Sequence, residues 1–413
     1  MVKPKIAILH YATPPTIGGV ESTMAAHARL FADRGYAVAI ITGAGEAFDP
    51  RIPVQVIPEA GTRSPEALAV NKELAQGHVT SRFEALVQRL CRELEGALAD
   101  TDILIAHNVL SLHKNLALTD ALWRLRERRK LRLVAWCHDM AWSDPQYAAD
   151  LHDGLPWGYL RQPWEQVRYV VVSEARKHEL AGLWGNNGKG TEISVVPAGI
   201  DPIQFLGLTE EAAGWTRDLH LLEAEPLLLL PARLTRRKNV EFAIEITAAL
   251  RRQGKKAKLV VTGPPGPHNP SNAAYLESLR ALRKVRGVED SVVFLHERGE
   301  VQGPSMRDLY WVADALLFPS EREGFGIPVL EAGLVRLPVF CSDLPPLRES
   351  ARGQAHYLAL DETPEKAAAL VADALSRDRA YCLKRRVVNE YSWERIFVER
   401  IEPVVVGGNA NAG

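Results

Sequence analysis

The sequence predicts two doubly wound α/β domains in tandem. Short runs of continuous apolar residues, of strand length, alternate with amphipathic helical windows along most of the 413 residues. The runs do not alternate apolar with polar, which is how parallel strands buried on both faces read. The chain is also longer than one comfortable hydrophobic core, and the strand–helix series starts twice.

The first series has strands at Ile6–Leu9, Ala37–Ile41, Ile103–Ala106, Leu131–Trp136 and Tyr169–Val172. Helical windows lie near Val20–Arg34, Val79–Ala99, Leu112–Arg129 and Glu174–Leu183. The second series follows Pro197-Ala198-Gly199-Ile200-Asp201, with strands at Leu227–Leu230, Lys258–Val261, Val292–Leu295, Ala315–Phe318 and Pro338–Cys341. The polar, glycine-bearing stretch from about Gly199 to Ala224 reads as a linker. The domains are set at 1–205 and 206–385, with 386–413 a terminal helix and a frayed tail from Gly407 to Gly413. Two such domains joined once are expected to leave a cleft at the C-terminal edges of their sheets, where α/β proteins bind ligands.

Composition narrows the field. A net charge of −1 gives no electrostatic case for nucleic acid as a partner. Apolar content of 46% and charged content of 24% are ordinary for a globular protein. Cys91, Cys137, Cys341 and Cys382 are far apart and form no CxxC pair, so neither a zinc site nor a disulfide framework is expected. Cys137 and Cys341 lie in apolar runs and read as reduced core thiols. The first residues pass straight into a strand without a signal-type apolar segment, and no apolar run has the length of a membrane span. The expectation is a reduced, cytoplasmic protein.

The most informative stretch runs from Ser320 to Gly333, directly after the strand Ala315–Phe318. Gly324 and Gly326 permit close backbone approach to a ligand, and Pro328 suits the first helical position. The N–H groups of about Gly326 to Leu330 then lack helical partners and face the positive end of the helix dipole, an arrangement that binds phosphate. Glu323 and Glu331 bracket the turn and accept hydrogen bonds from hydroxyls. A nucleotide-sugar, anionic in its middle and hydroxylated at both ends, has the matching shape. A plain βα connection has the same local chemistry, so context must decide.

Several strand ends supply that context. Arg233 and Lys238, after Leu227–Leu230, suit a pyrophosphate: the arginine offers a planar fork and the lysine a point charge. Such cations stabilise a departing nucleoside diphosphate, although a solvated basic turn reads the same way. Gly18-Gly19, before a helix, also allows close approach to phosphate but is not the G-x-G-x-x-G of a dinucleotide site. His138 and Asp139 end one first-domain strand, and His107 and Asn108 another; these are candidates to orient an acceptor or to serve as structural hydrogen-bond partners. Gly263 in the loop that continues to Asn272, and His296 after Val292–Leu295, border the same edge. Asp100-Thr101-Asp102 spells D-x-D but precedes its strand, at the wrong end for a ligand, and turn chemistry explains it. No His/Cys/Asp cluster with metal spacing takes its place. The cationic run Arg124 to Arg132 reads as a solvated helix face.

Together these pieces resemble the family 4 retaining glycosyltransferases of the GT-B fold. The resemblance rests on Gly18-Gly19-Val20-Glu21, the Pro197–Asp201 junction, Arg233 with Lys238, Tyr391-Ser392-Trp393-Glu394, and above all Glu323-Gly-Phe-Gly-Ile-Pro-Val-Leu-Glu331. It implies that the terminal helix crosses back onto the first domain. It also implies that Glu323 contacts sugar hydroxyls, Glu331 the ribose, and Arg233, Lys238 and the Gly19 backbone the diphosphate, with His138 beside the reacting sugar. The donor loop then comprises Gly324, Phe325, Gly326, Ile327, Val329 and Leu330 as well. The resemblance further implies a UDP- or GDP-linked glucose or mannose donor, a hydroxyl acceptor (a small polar molecule or glycan end), retention of configuration and no required metal or other cofactor. Two positions depart from the family: Ala198 stands where asparagine is usual, and His296 lies where a base-side glycine is usual. Alternatives on the same plan are a sugar-phosphate synthase or phosphorylase, and a catalytically silent nucleotide-sugar-binding protein. Glu323→Gln and Lys238→Ala are expected to abolish transfer with little change in melting temperature.

Overall fold

The computed structural model describes residues 2–129, 131–266, 271–359 and 361–407. Pro267–Pro270 of the proline-rich loop, and the tail beyond Gly407, lie outside the described residues. The chain forms two compact units, Met1–Gly199 with Tyr391–Gly413, and Ile200–Glu390.

The first unit is built on a seven-stranded parallel sheet: β1 (Ile6–His10), β2 (Val38–Thr42), β3 (Val54–Val56), β4 (Ile103–His107), β5 (Arg132–Cys137), β6 (Val167–Val171) and β7 (Ile193–Val195). Its spatial order is β3-β2-β1-β4-β5-β6-β7, so the chain reverses direction across the sheet between β1 and β4. Ile6 pairs with Val38 on one side and Ile103 on the other, with both pairings parallel. Helix Gly19–Asp33 and the tail residues Ile396, Phe397, Ile401 and Val405 cover one face, and helices Ser81–Ala97 and Leu116–Arg128 help cover the other.

The second unit has a six-stranded sheet: β8 (Leu227–Leu230), β9 (Lys258–Val261), β10 (Val292–Phe294), β11 (Ala315–Phe318), β12 (Val339–Ser342) and β13 (His356–Leu358). Its order, β10-β9-β8-β11-β12-β13, repeats the winding of the first, and every pairing is parallel. Both sheets are therefore doubly wound and the fold class read from the sequence holds. The central strands carry no exposed residue, which is why they are continuous apolar runs.

Three strands escaped the sequence reading: β3, β7 and β13. Each has three residues and only one paired neighbour, and each is partly exposed, so none carries a buried apolar run. The supposed linker is also not one. Helices Pro202–Leu206 and Glu210–Asp218 occupy it, and Ala212, Trp215, Leu219 and Leu221 are buried in the core of the second unit. The cationic run is not simply solvated either. Arg124 forks onto Glu84 at 2.6 and 2.8 Å, and Arg132 donates to the carbonyls of Val405, Val406 and Gly407.

Candidate active site

In the second unit the functional candidates gather where the strands end. Leaving β8, the chain passes Arg233 and makes a tight turn at Arg236–Lys238. Asn239 closes it in the left-handed region at φ 48°, a conformation asparagine tolerates better than most residues. This places the Lys238 ammonium against the Glu323 carboxylate. Their side chains are only 11% and 8% exposed, so the pair is largely desolvated. The ammonium also lies 4.6 Å from the Phe318 ring centroid. Burial lowers the Lys238 pKa below its ordinary value, against the opposing pull of Glu323. Arg237, which as part of a basic turn reads from sequence as facing water, is mostly exposed but reaches within 3.7 Å of the other Glu323 oxygen.

The glycine turn after β11 leads into helix Ile327–Leu334. Gly326 caps it at φ 91°, and a Cβ there would stand 2.4 Å from a methyl of the buried Leu347, so any other residue would strain the backbone and displace that side chain. Pro328 falls at the second helical position rather than the first, because Ile327 already has helical geometry. The row of free donors is shorter than expected. Pro328 has no N–H, and that of Val329 is spent on the Gly326 carbonyl at 2.9 Å. Among the described residues, Gly326 and Ile327 N–H donate to no protein acceptor. The Val329 side chain is buried in the core, whereas Gly324, Phe325, Ile327, Leu330 and Glu331 are exposed. One Glu331 oxygen accepts from the Tyr310 hydroxyl, a partner the sequence reading missed.

A cavity of about 590 Å³ opens at the ends of β8, β9 and β10, lined by Arg233, Gly263, Pro264, His296 and Met306. Arg233 is exposed and makes no ion pair among the described residues. A Cβ at Gly263 would lie 2.5 Å from the Ala232 carbonyl oxygen, so the two loops close here only on glycine.

In the first unit the polar groups are imidazoles. Asn108 adopts φ 60° at the end of β4, and its Oδ1 accepts the N–H groups of His138 (2.7 Å) and Asp139 (3.3 Å), fixing the turn after β5. His138 Nε2 lies 3.0 Å from His107 Nδ1, and the rings stack at 5.3 Å. His107 is fully buried, so the expectation that it lines an acceptor site is corrected: it can act only through His138. His107 also stacks on Trp136 and lies 5.6 Å from His27, a fully buried imidazole that touches Trp393 of the tail. Burial holds His27 near 3 and His138 near 4, and drives His107 well below its usual value. His10 donates from Nδ1 to the His107 carbonyl oxygen at 3.0 Å. Its Nε2 faces Glu21 at 3.8 Å.

Gly18 and Gly19 form the cap and first residue of helix Gly19–Asp33, and no side chain caps it. The D-x-D pair is structural: Asp102 accepts the Lys5 N–H at 2.8 Å and Asp100 pairs with the Lys5 ammonium. All four cysteines are free, and burial pushes Cys137 up to about 12. From sequence, His10 reads as a weaker strand-end candidate of the His138 kind and Glu21 only as part of the glycine motif; their approach to each other, His27 and Tyr310 were not anticipated. Their only signal was an inward helical position or proximity to a strand end, and many residues share that.

Two tandem doubly wound units, with cations and a glycine-capped helix at one set of strand ends, define the GT-B class. The comparisons agree. Residues 17–204 match the model of Glycosyltransferase Family 4, and residues 215–392 match that of Glycosyl transferases group 1. The chain belongs to the family 4 glycosyltransferases. A D-inositol 3-phosphate glycosyltransferase of Actinosynnema mirum is 27% identical over 95% of this chain and 94% of its own length. An uncharacterized glycosyltransferase of Methanocaldococcus jannaschii is 29% identical, over 58% of this chain and 60% of its own. The chain thus spans about three fifths of the length of that relative. Sucrose-phosphate synthase of Thermosynechococcus elongatus aligns over 97% of this chain and 98% of its own, with a TM-score of 0.37 and 16% identity. No helix among the described residues is long and apolar enough to cross a membrane.

Proposed function

We propose that this glycosyltransferase moves glucose or mannose from a UDP- or GDP-linked donor to a hydroxyl acceptor, with retention of configuration and without a metal. The observation that carries this reading is the desolvated Lys238–Glu323 pair beside the Gly326 cap, with Arg233 making no ion pair among the described residues. Lys238 and Arg233 neutralise the diphosphate as the bond from sugar C1 to its oxygen breaks, the part a metal plays elsewhere. The N–H groups of Gly326 and Ile327 add two further donors to phosphate oxygens. Glu323 uses its remaining lone pairs to accept from sugar hydroxyls, and Glu331 accepts from the ribose while Tyr310 holds its other oxygen. His138 orients a hydroxyl of the reacting sugar.

Retention follows if the acceptor attacks the face that the diphosphate leaves, with a phosphate oxygen taking the acceptor proton. The alternative double displacement needs a carboxylate nucleophile. Glu323 is committed to Lys238 and Arg237, which lowers its nucleophilicity.

The test is transfer from UDP-glucose and GDP-mannose, with chelator present and the product anomer read by NMR. A retained anomer formed at undiminished rate in chelator is the expected outcome. An inverted product, or activity that returns only with added divalent ion, refutes the mechanism.

A further inference from the structure

We propose that the acceptor of this enzyme carries an anionic group, a phosphate monoester or a carboxylate, in addition to its reacting hydroxyl, and that Arg63 and Lys114 bind that group. The inference rests on the glycosyl-transfer reading above and names the substrate class for its second substrate.

The first unit has a cavity of about 600 Å³ at the C-terminal ends of β1 to β5. It straddles β1 and β4, where the strand order reverses, which is where open α/β sheets take their ligands. Its size suits a sugar-sized molecule. The polar lining falls into two groups. One comprises Arg63, Ser64 and Lys114. Ser64 caps helix Pro65–Leu74 by accepting the Ala67 N–H at 3.2 Å. Asn71 of that helix donates to the Lys114 carbonyl at 2.7 Å, and Asn115 donates to Glu59 and Gly61 at 2.8 and 2.9 Å. These bonds tie the Lys114 segment to the loop that bears Arg63. The other group comprises His10, Glu21 and Asp139.

Charge compensation separates the two groups. Among the described residues neither Arg63 nor Lys114 has a carboxylate partner; the Lys114 ammonium lies 4.2 Å from the Tyr147 ring centroid. Asp139, by contrast, lies 3.3 Å from Arg176, and Glu21 faces the His10 ring. One wall therefore presents two uncompensated cations beside the positive end of a ten-residue helix. The other presents acceptors suited to hydroxyl groups. A neutral polyol would leave the cations unanswered, and a ligand anionic at both ends would meet Glu21. A molecule with hydroxyls at one end and an anion at the other satisfies both walls.

The experiment measures binding to the full chain by calorimetry, with glucose, glucose 6-phosphate and glucuronate as probes, for the wild type, Arg63→Gln, Lys114→Gln and the double variant. Arg63 is exposed and bonded to no side chain among the described residues, so its replacement should leave the fold intact. At least one anionic sugar should bind tenfold or more tightly than glucose, with the phosphate and carboxylate arms telling which anion is preferred. Each single substitution should weaken that ligand about tenfold, and the double should erase the preference. Equal binding of all three sugars, no binding of either anion, or a preference that survives the double substitution overturns the proposal. Thermal stabilisation by UDP-glucose or GDP-mannose is read in parallel. If neither nucleotide-sugar stabilises the wild type, the parent reading fails; if one does and no anion preference appears, only the acceptor inference fails.

Discussion

The two units wind their strands in the same order, yet they keep different polar groups at the strand ends. The second unit gathers charged groups: Lys238 against Glu323, Arg237 beside them, and Arg233 with no ion pair among the described residues. The first packs imidazoles against each other and against Trp136 and Trp393, and burial keeps them neutral. The shared winding positions both sets of groups, but it dictates the chemistry of neither. Imidazoles forced neutral by burial resist acid only at a cost in stability. The contrast can be broken or sharpened by experiment.

The largest effect belongs to the charged pair. Glu323→Gln and Lys238→Ala should each lower kcat/KM about a thousandfold, as loss of a group that stabilises transition-state charge does. Contrary to the expectation of an unchanged melting temperature, Lys238→Ala strands a carboxylate that is only 8% exposed and should cost about 3 kcal/mol. Glu323→Gln should cost less, because the amide oxygen still accepts from the ammonium. Denaturant melts of the two variants check the order.

Acid should act on the first unit. The folded-state pKa values of His27, His107 and His138 lie below 6.5, so between those values and about 6.5 the unfolded chain binds more protons than the folded one. Stability is therefore complete above about pH 6.5 and falls as the pH is lowered, by about 2 kcal/mol per histidine at pH 5. Hydrogen exchange at pH 8 and pH 5 should show the loss in peptides from β1, β4 and β5, with β8 and β11 affected less. His27→Phe should remove one histidine's share of that slope.

At the alkaline end, Lys238 loses its proton below the ordinary lysine value of 10.5, since burial lowers its pKa. Activity should decline as pH rises through that range, and the decline should disappear from the residual activity of Lys238→Ala. The smallest expected change comes from Tyr310→Phe. Freeing Glu331 from its hydroxyl should raise the donor KM by about fivefold, near 1 kcal/mol, with kcat unchanged.

What could be read from the sequence follows the same division. The central strands and the winding were legible because burial on both faces leaves an unbroken apolar run. The glycine turn was legible because Gly326 and Pro328 are consecutive features of one short stretch. Its details were not: a single residue of register moved Pro328 to the second helical position and removed Val329 from the donor row. The imidazole cluster left no local pattern, since residues 10, 27, 107, 138 and 393 meet only through the topology of the sheet. The same holds for Arg63 and Lys114, which are aligned by Asn71 and Asn115, residues without any signature of their own.

Residues 391–407 seal the first unit: Phe397 packs on Phe31, Glu402 accepts from Tyr36, and Ile401 and Val405 complete a cluster that includes Ile6 and Ile8. On the ribosome this means that β1 emerges well before the helical segment that completes its packing. Helix Gly19–Asp33 covers only part of that face, and the rest stays open while the intervening 191 residues (200–390) are made, so the nascent chain must shield it by other means.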